Sequence, residues 1–342
     1  MNNDYLRVNS KNDDEDIVVG EYIHEIKEEN ASKQEKKVTL LSLLSFSRKT
    51  NVTYTAKTLQ TPNIKGVFTV LFIHLAIVLA LCFFSALTSN IVLLIFTSAV
   101  ASLIFPVFIT TFAYKLDTTD GVSLIEISIG FIVGTCVYLI FSVFEPIFIQ
   151  FIYFDWSQYI VSVIIRDVFL FVVANVFVKL ARKDNMFDAI LLTVTVYAGY
   201  MFISSFSALI SNMFLSVQLY NGTETVSTGA IILGKESFKN IFTSFNETLL
   251  IQVTFLSVVT SSNAIVNGGV IGLNVSPIKD EKYKEWSLYL LFLLTVVLHI
   301  AAVFPSSIRL FELILKGLSI IFSVILAITI LNYYLSKAKF KE

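Results

Sequence analysis

"IVSVIIRDVFLFVVANVFVKLAR", residues 160–182, is the stretch on which the fold turns. Up to Val178 it is an almost unbroken run of aliphatic and aromatic side chains. About 20 such residues, rising 1.5 Å each, cross a hydrocarbon core of about 30 Å as a helix. The run closes on the basic residues Lys179, Arg182 and Lys183. Inside it stand Arg166 and Asp167, two charges side by side. A charge at that depth is costly unless it faces a partner or a cavity, so the pair marks a place to look for function.

Seven further stretches of the same kind flank this one. Together the spans fall at 66–87, 90–113, 122–144, 160–182, 187–213, 247–267, 287–305 and 310–335. The sixth carries Gln252, Thr254 and a "TSSN" tail, and the seventh is short and stops at Pro305. The whole chain has 342 residues, 55% hydrophobic and only 15% charged, and its mean hydropathy is strongly positive. A soluble domain has no interior large enough to hide that much apolar surface. The spans are too long, and alternate too little, for a β-barrel. The fold class is therefore all-α, a polytopic membrane bundle of about eight transmembrane helices.

Residues 1–65 read differently. They open acidic, with Asp13, Asp14, Glu15, Asp16, Glu28 and Glu29, and turn basic from Lys36 onward. Such a segment buries too little to fold alone and is expected to be a disordered cytosolic tail. Within it "VTLLSLLSFS", 38–47, is too short to span and is flanked by lysines, the pattern of an interfacial helix. Residues 66–336 form the membrane domain, and 337–342 a short basic cytosolic tail. Placing the amino terminus in the cytosol puts Lys115, Lys179, Arg182, Lys183, Lys279, Lys282 and Lys284 on the inner face, against Lys235, Lys239 and Arg309 outside. The expected location is a cell membrane, a bacterial plasma membrane, with both termini cytosolic.

Counting residues inward at 1.5 Å each brings Asp167 and His299 to similar depths, about 10 Å below the outer edge and about 18 Å above the inner one. Ser204, Ser205 and Ser207 on the fifth span and Gln252 on the sixth reach the outer half as well. A polar cluster drawn from four spans is thus expected. Adjacent helical residues point about 100° apart, so Arg166 and Asp167 are not expected to face one cavity together, and Arg166 is free to snorkel outward. Glu145-Pro146 reads as the outer end of the third span. Other chemistry is missing. Three scattered histidines and two cysteines in apolar runs, Cys82 and Cys136, give no metal-ligand spacing, so no metal and no cofactor are expected. "GGVIG", 268–272, lacks the lysine of a P-loop. No basic stripe points to nucleic acid.

The order of features resembles the PrsW-type intramembrane proteases, a branch of the wider group that includes CAAX-processing and bacteriocin-immunity type proteases. "IFPVFITTFAYKLDTTDGVSLIEISIGFIVG", 104–134, carries the Pro-led helix, the aromatic-basic-x-Asp loop and the Gly-bearing helix as Pro106, Tyr114-Lys115, Asp117 and Gly134. "FDAILLTVTVYAGYMFISSFSAL", 187–209, keeps Asp188, Gly199 and Phe202 in step, and "VVLHIAAVF", 296–304, supplies His299. The likeness runs over roughly residues 90 to 305. Where the family has Glu-Glu followed by Lys, this chain has Arg166-Asp167 and Leu170; the Glu-Asn pair is Phe206-Ser207; no histidine lies between His74 and His299; and the Asn four past the last His is Val303. The resemblance with these replacements implies a degenerate member that binds or regulates another membrane protein, single-pass or polytopic, in the lipid bilayer, with Arg166, Asp188, Ser205 and Gln252 as binding residues. If active, it is an intramembrane endopeptidase with Asp167 and His299 as catalytic groups. A transporter or channel is the third reading. It needs a continuous polar path, to which the inner half offers Asn175, His74 and a few hydroxyls.

Overall fold

The computed structural model describes residues 65–116, 121–150, 155–183, 185–220, 235–275, 285–304 and 309–339. Among them are ten α-helices and one π-helical segment: α1 (Lys65–Thr88), α2 (Ile91–Ser102), α3 (Ile104–Leu116), α4 (Leu124–Ile149), α5 (Asp155–Leu180), α6 (Met186–Tyr220), α7 (Lys235–Thr248), the π segment (Leu249–Leu256), α8 (Ser257–Val275), α9 (Glu285–Val303) and α10 (Arg309–Lys339). Seven helical stretches are long and apolar enough to cross a membrane, and Ser287–Val303 is a shorter apolar helix. The chain is an all-α, multi-pass membrane bundle. The acidic tail and the segment 38–47 lie outside the described residues.

Local chemistry sets the helix boundaries. The Asn90 side chain accepts from the backbone N–H of Val92 at 2.9 Å and of Leu93 at 3.2 Å, which starts α2. Ser123 and Glu126 exchange bonds reciprocally at the start of α4: the Ser123 N–H donates to Glu126 Oε2 at 2.7 Å, and the Glu126 N–H to Ser123 Oγ at 3.2 Å. Asn185 caps α6 through the Phe187 N–H at 3.1 Å. Lys183 bonds the Gly121 carbonyl and pairs with Glu126 at 2.9 Å. The loop before α4 and the end of α5 therefore meet at one end of the bundle, as an up-and-down course requires.

Three boundaries depart from the sequence reading. The second span is two helices, broken at Leu103. Pro106 has no N–H to offer the Ser102 carbonyl, so the ladder is interrupted there. The third span does not stop at Glu145-Pro146; α4 runs on to Ile149 with Pro146 inside it. One lost bond in the last two turns is tolerated, and Glu145 stays on the helix. The sixth span does not end at 267. Helix continues to Val275, and "GGVIG" lies within it against α6, a Cβ at Gly268 coming within 2.8 Å of Ile190 Cα. The glycines serve close helix packing.

The centre of the bundle is α6. It packs most extensively on α4 and α8 and then on α3, and from Phe187 to Met201 nearly every side chain is buried. The outer helices turn large apolar residues outward, among them Phe72, Leu79 and Phe83 on α1 and Ile321, Phe322 and Ile325 on α10, as lipid contact demands. At the α4–α6 crossing the backbones touch. A Cβ at Gly134 would lie 1.8 Å from the Val196 carbonyl oxygen, and one at Gly199 would lie 1.9 Å from that of Phe131. Gly134→Val and Gly199→Val are expected to destabilise the bundle by about 3 kcal/mol or more, at or beyond the upper end of ordinary overpacking. Gly317→Ala, with nothing within 4 Å, is expected to be neutral or slightly stabilising. Unfolding by denaturant in mixed micelles reads the difference.

Candidate functional site

The charged pair of α5 meets the single histidine of α9. His299 Nδ1 lies 2.9 Å from Asp167 Oδ1 and 2.8 Å from Oδ2. Its other nitrogen, Nε2, lies 3.0 Å from Arg166 Nη2. A guanidinium only donates, so Nε2 accepts, and the ring hydrogen sits on Nδ1 and goes to Asp167. The geometry thus assigns one neutral tautomer. Arg166 Nε is 3.8 Å from Asp167 Oδ1, an ion pair without a hydrogen bond.

Both charges reach the same ring, contrary to the expectation that neighbours 100° apart would diverge. The reason is reach. Asp167 meets His299 directly, while Arg166 uses its long stem to fold around to the far nitrogen instead of snorkelling outward. Asp167 and His299 are 7% and 3% exposed, so hydrocarbon and protein, not water, surround the contact.

Two further helices bring polar groups to it. Tyr200 of α6 and Glu145 of α4 lie close enough to the Arg166 guanidinium to act on it electrostatically. Ser162 donates to Glu145. Beside this cluster is a cavity of about 20 Å³, lined by Arg166, Tyr200, Ser204, Ser205, Gln252 and His299 among others. That is room for about one water. Among the described residues the Ser205 and Gln252 side chains make no hydrogen bonds, so both leave polar groups facing the cavity.

Of the residues singled out from the sequence, the structure brings together Arg166, Asp167, Ser204, Ser205, Gln252 and His299. Asp188 is apart. It sits in the first turn of α6 beside Gly121, twelve residues before Tyr200 and so about 18 Å along the axis. There a carboxylate suits the helix N-terminus. His74 Nε2 donates to the Val100 carbonyl, 2.8 Å away, and ties α1 to α2. Sequence reasoning missed Glu145 and Tyr200. Glu145 was legible as an acid beside a span but was placed at its end; Tyr200 looked like one more apolar core residue.

A second polar group lies deeper. On α8, Asn263, Asn267 and Asn274 are spaced four and seven apart and all are buried. The Asn267 amide donates to the Tyr197 hydroxyl at 2.9 Å, Thr295 donates to Asn267 Oδ1 at 3.3 Å, and the Asn263 amide donates to the Thr295 carbonyl at 3.1 Å. These bonds hold α8 to α6 and α9. The part of the bundle that holds these asparagines is therefore more polar than the short sixth span implied. Among the described residues no three of His, Cys, Asp and Glu gather as a metal ion would need.

Fold and cluster together define a multi-pass membrane protein with a buried ionic site in its interior. Comparison with family models, with curated proteins and with solved structures gave no match.

Removing one member of the site should be worse than removing all of it. Asp167→Asn or His299→Ala leaves a buried group without its partner and is expected to cost about 3–5 kcal/mol. The triple variant Arg166→Met, Asp167→Leu, His299→Leu is expected to lose less than either single change. Thermal unfolding of the purified protein in one detergent measures all three.

Proposed function

We propose that the protein is a catalytically degenerate member of the PrsW-like group and acts by binding or regulating another membrane protein. One observation carries this reading: both nitrogens of His299 are engaged, Nε2 by Arg166 and Nδ1 by Asp167. Peptide hydrolysis needs a base with a lone pair directed at water and a donor directed at the developing oxyanion. The one lone pair of His299 is directed at a guanidinium. Both oxygens of Asp167 are turned on the imidazole. The groups that would do chemistry are occupied with each other. What they do instead is fix α5 against α9 with a contact that hydrocarbon makes specific, and present a rigid bundle to a partner.

The cavity favours a second reading, an active intramembrane endopeptidase. Room for one water lies beside His299. If Arg166 swung to Glu145, Asp167 and His299 would become a base dyad facing that water. Both readings take the chain to sit in a bacterial plasma membrane with its termini in the cytosol. Lys115, Lys179, Arg182 and Lys183 support that orientation, and the meeting of Lys183 with Gly121 and Glu126 brings the helix ends that carry them to one side of the bundle.

Mapping new protein termini by mass spectrometry in wild-type, deletion and Asp167→Asn strains separates the readings. The expected result is one cleavage map in all three strains, with recovery of a crosslinked partner reduced in Asp167→Asn at matched protein level. A fragment made only by the wild type would sink the degenerate reading. Orientation is checked in a chain carrying Cys82→Ser and Cys136→Ser. A membrane-impermeant maleimide applied from outside should label a cysteine placed at Thr223 and spare one at Asp184.

A further inference from the structure

A larger cavity, about 80 Å³, lies beside the ionic cluster, between the π segment, α8 and the facing parts of α9 and α10. Its walls are apolar, with Ile251, Phe255, Val259, Val303 and Ile320. Ile251 is 42% exposed, so the slot opens on the surface that faces lipid. Its inner end adjoins the cavity at His299, because Gln252 and Leu256 line both. The backbone here is wound wide. Leu249–Leu256 is π-helical, and the Thr254 and Ser257 hydroxyls follow the wider turn, donating to the carbonyls of Leu249 and Gln252, five residues back, at 3.3 and 3.2 Å. Such π segments recur at functional sites.

Two polar heads stand in this apolar wall. Lys316 pairs with Glu312 one turn earlier, and its side chain is only 15% exposed. An ammonium has three donors, and Glu312 is its one partner among the described residues. The Gln252 amide has none. Unsatisfied donors at membrane depth are expensive, so the slot calls for an occupant that is apolar along its length and rich in acceptor oxygens at one end.

We propose that this slot is a phospholipid site: one acyl chain lies along Ile251, Val259 and Ile320, and ester or phosphate oxygens accept from Lys316 and Gln252. Size decides between a lipid and a partner's helix. A helix with its side chains is about 10–12 Å across; a volume of about 80 Å³ takes a short run of methylenes. Charge sets the selectivity. Glu312 neutralises Lys316, so recognition is of the glycerol-phosphate oxygens and not of net negative charge. Anionic and zwitterionic lipids should bind alike. The site stands independently of the proposed role of the His299 cluster.

The test is native mass spectrometry of the full chain in mild detergent, titrated with dioleoyl phosphatidylglycerol or dioleoyl phosphatidylcholine. The wild type should retain one lipid of either kind through detergent exchange. Val259→Trp, which fills the slot, should abolish that retention. The double variant Lys316→Met, Gln252→Leu leaves the apolar walls intact, and it should weaken retention about tenfold, the worth of a lost charge-assisted hydrogen bond. A wild type that keeps no lipid, or a double variant that keeps as much as the wild type, overturns the site. A photocrosslinker at Ile251 that captures a protein and not a lipid overturns it too. Strong preference for phosphatidylglycerol would overturn the assignment of the oxygens over the charge.

Discussion

An imidazole with a guanidinium on one nitrogen and a carboxylate on the other has almost no freedom left, and in hydrocarbon the helices that carry those groups have none either. Arg166 alone inside the bilayer would be driven to snorkel, and Asp167 alone would be a costly unpaired carboxylate. Joined through His299, at 3.0 Å on one side and 2.8–2.9 Å on the other, they neutralise each other and need no water. The condition is that α5 and α9 meet at one height and one rotation. A shift by one residue in either helix would turn its group about 100° away. The contact therefore sets register, which is the best-attested use of buried polar groups in packed helices.

Register at this contact governs what lies around it. With α5 fixed to α9, Arg166 is brought to Tyr200 on α6 and towards Glu145 on α4. The central helix α6 can then pack on α4 with backbones touching, because Gly134 and Gly199 have no side chains to hold them apart. On its other side Tyr197 receives Asn267 of α8, and Thr295 of α9 closes the ring to the same asparagine. Four helices around α6 are held by polar contacts at two levels, and lipid-facing residues contribute to none of them. In a bilayer this division is expected. Lipid tails are as apolar as leucine, so association of helices rests on close packing and on hydrogen bonds.

Much of this was legible in the sequence. Span number and course follow from length and hydropathy, because hydrocarbon thickness is a single constraint acting on every helix. The meeting of Asp167 with His299, and the approach of Ser205 and Gln252, follow from depth alone. What depth does not give is rotation. It did not reveal that Arg166 would bend to the far side of the ring. Breaks and extensions were also hidden. The cut at Leu103 depends on one missing N–H at Pro106, and the run through Pro146 depends on how little one missing bond matters near a helix end. Asn274 was obscured by ending the sixth span at 267, and with it the common face it shares with Asn263 and Asn267. Once the helix reaches Val275, their spacing puts them on one face, and glycines that looked like loop become a packing surface.

The saturation that steadies the bundle also occupies both nitrogens of His299. A catalytic base must be held in place by one group and left open on its other side, so that it can exchange a proton with something that moves. At His299 the holding group is present, since Asp167 orients Nδ1, but the open side is closed by Arg166. A neutral residue at 166 would leave Nε2 facing the small cavity; a glutamate there would compete with Asp167 for the same ring. Arginine does neither. It satisfies the lone pair and balances the charge of Asp167. The arginine that makes the buried carboxylate tolerable in hydrocarbon is thus also the group that occupies the ring's one lone pair.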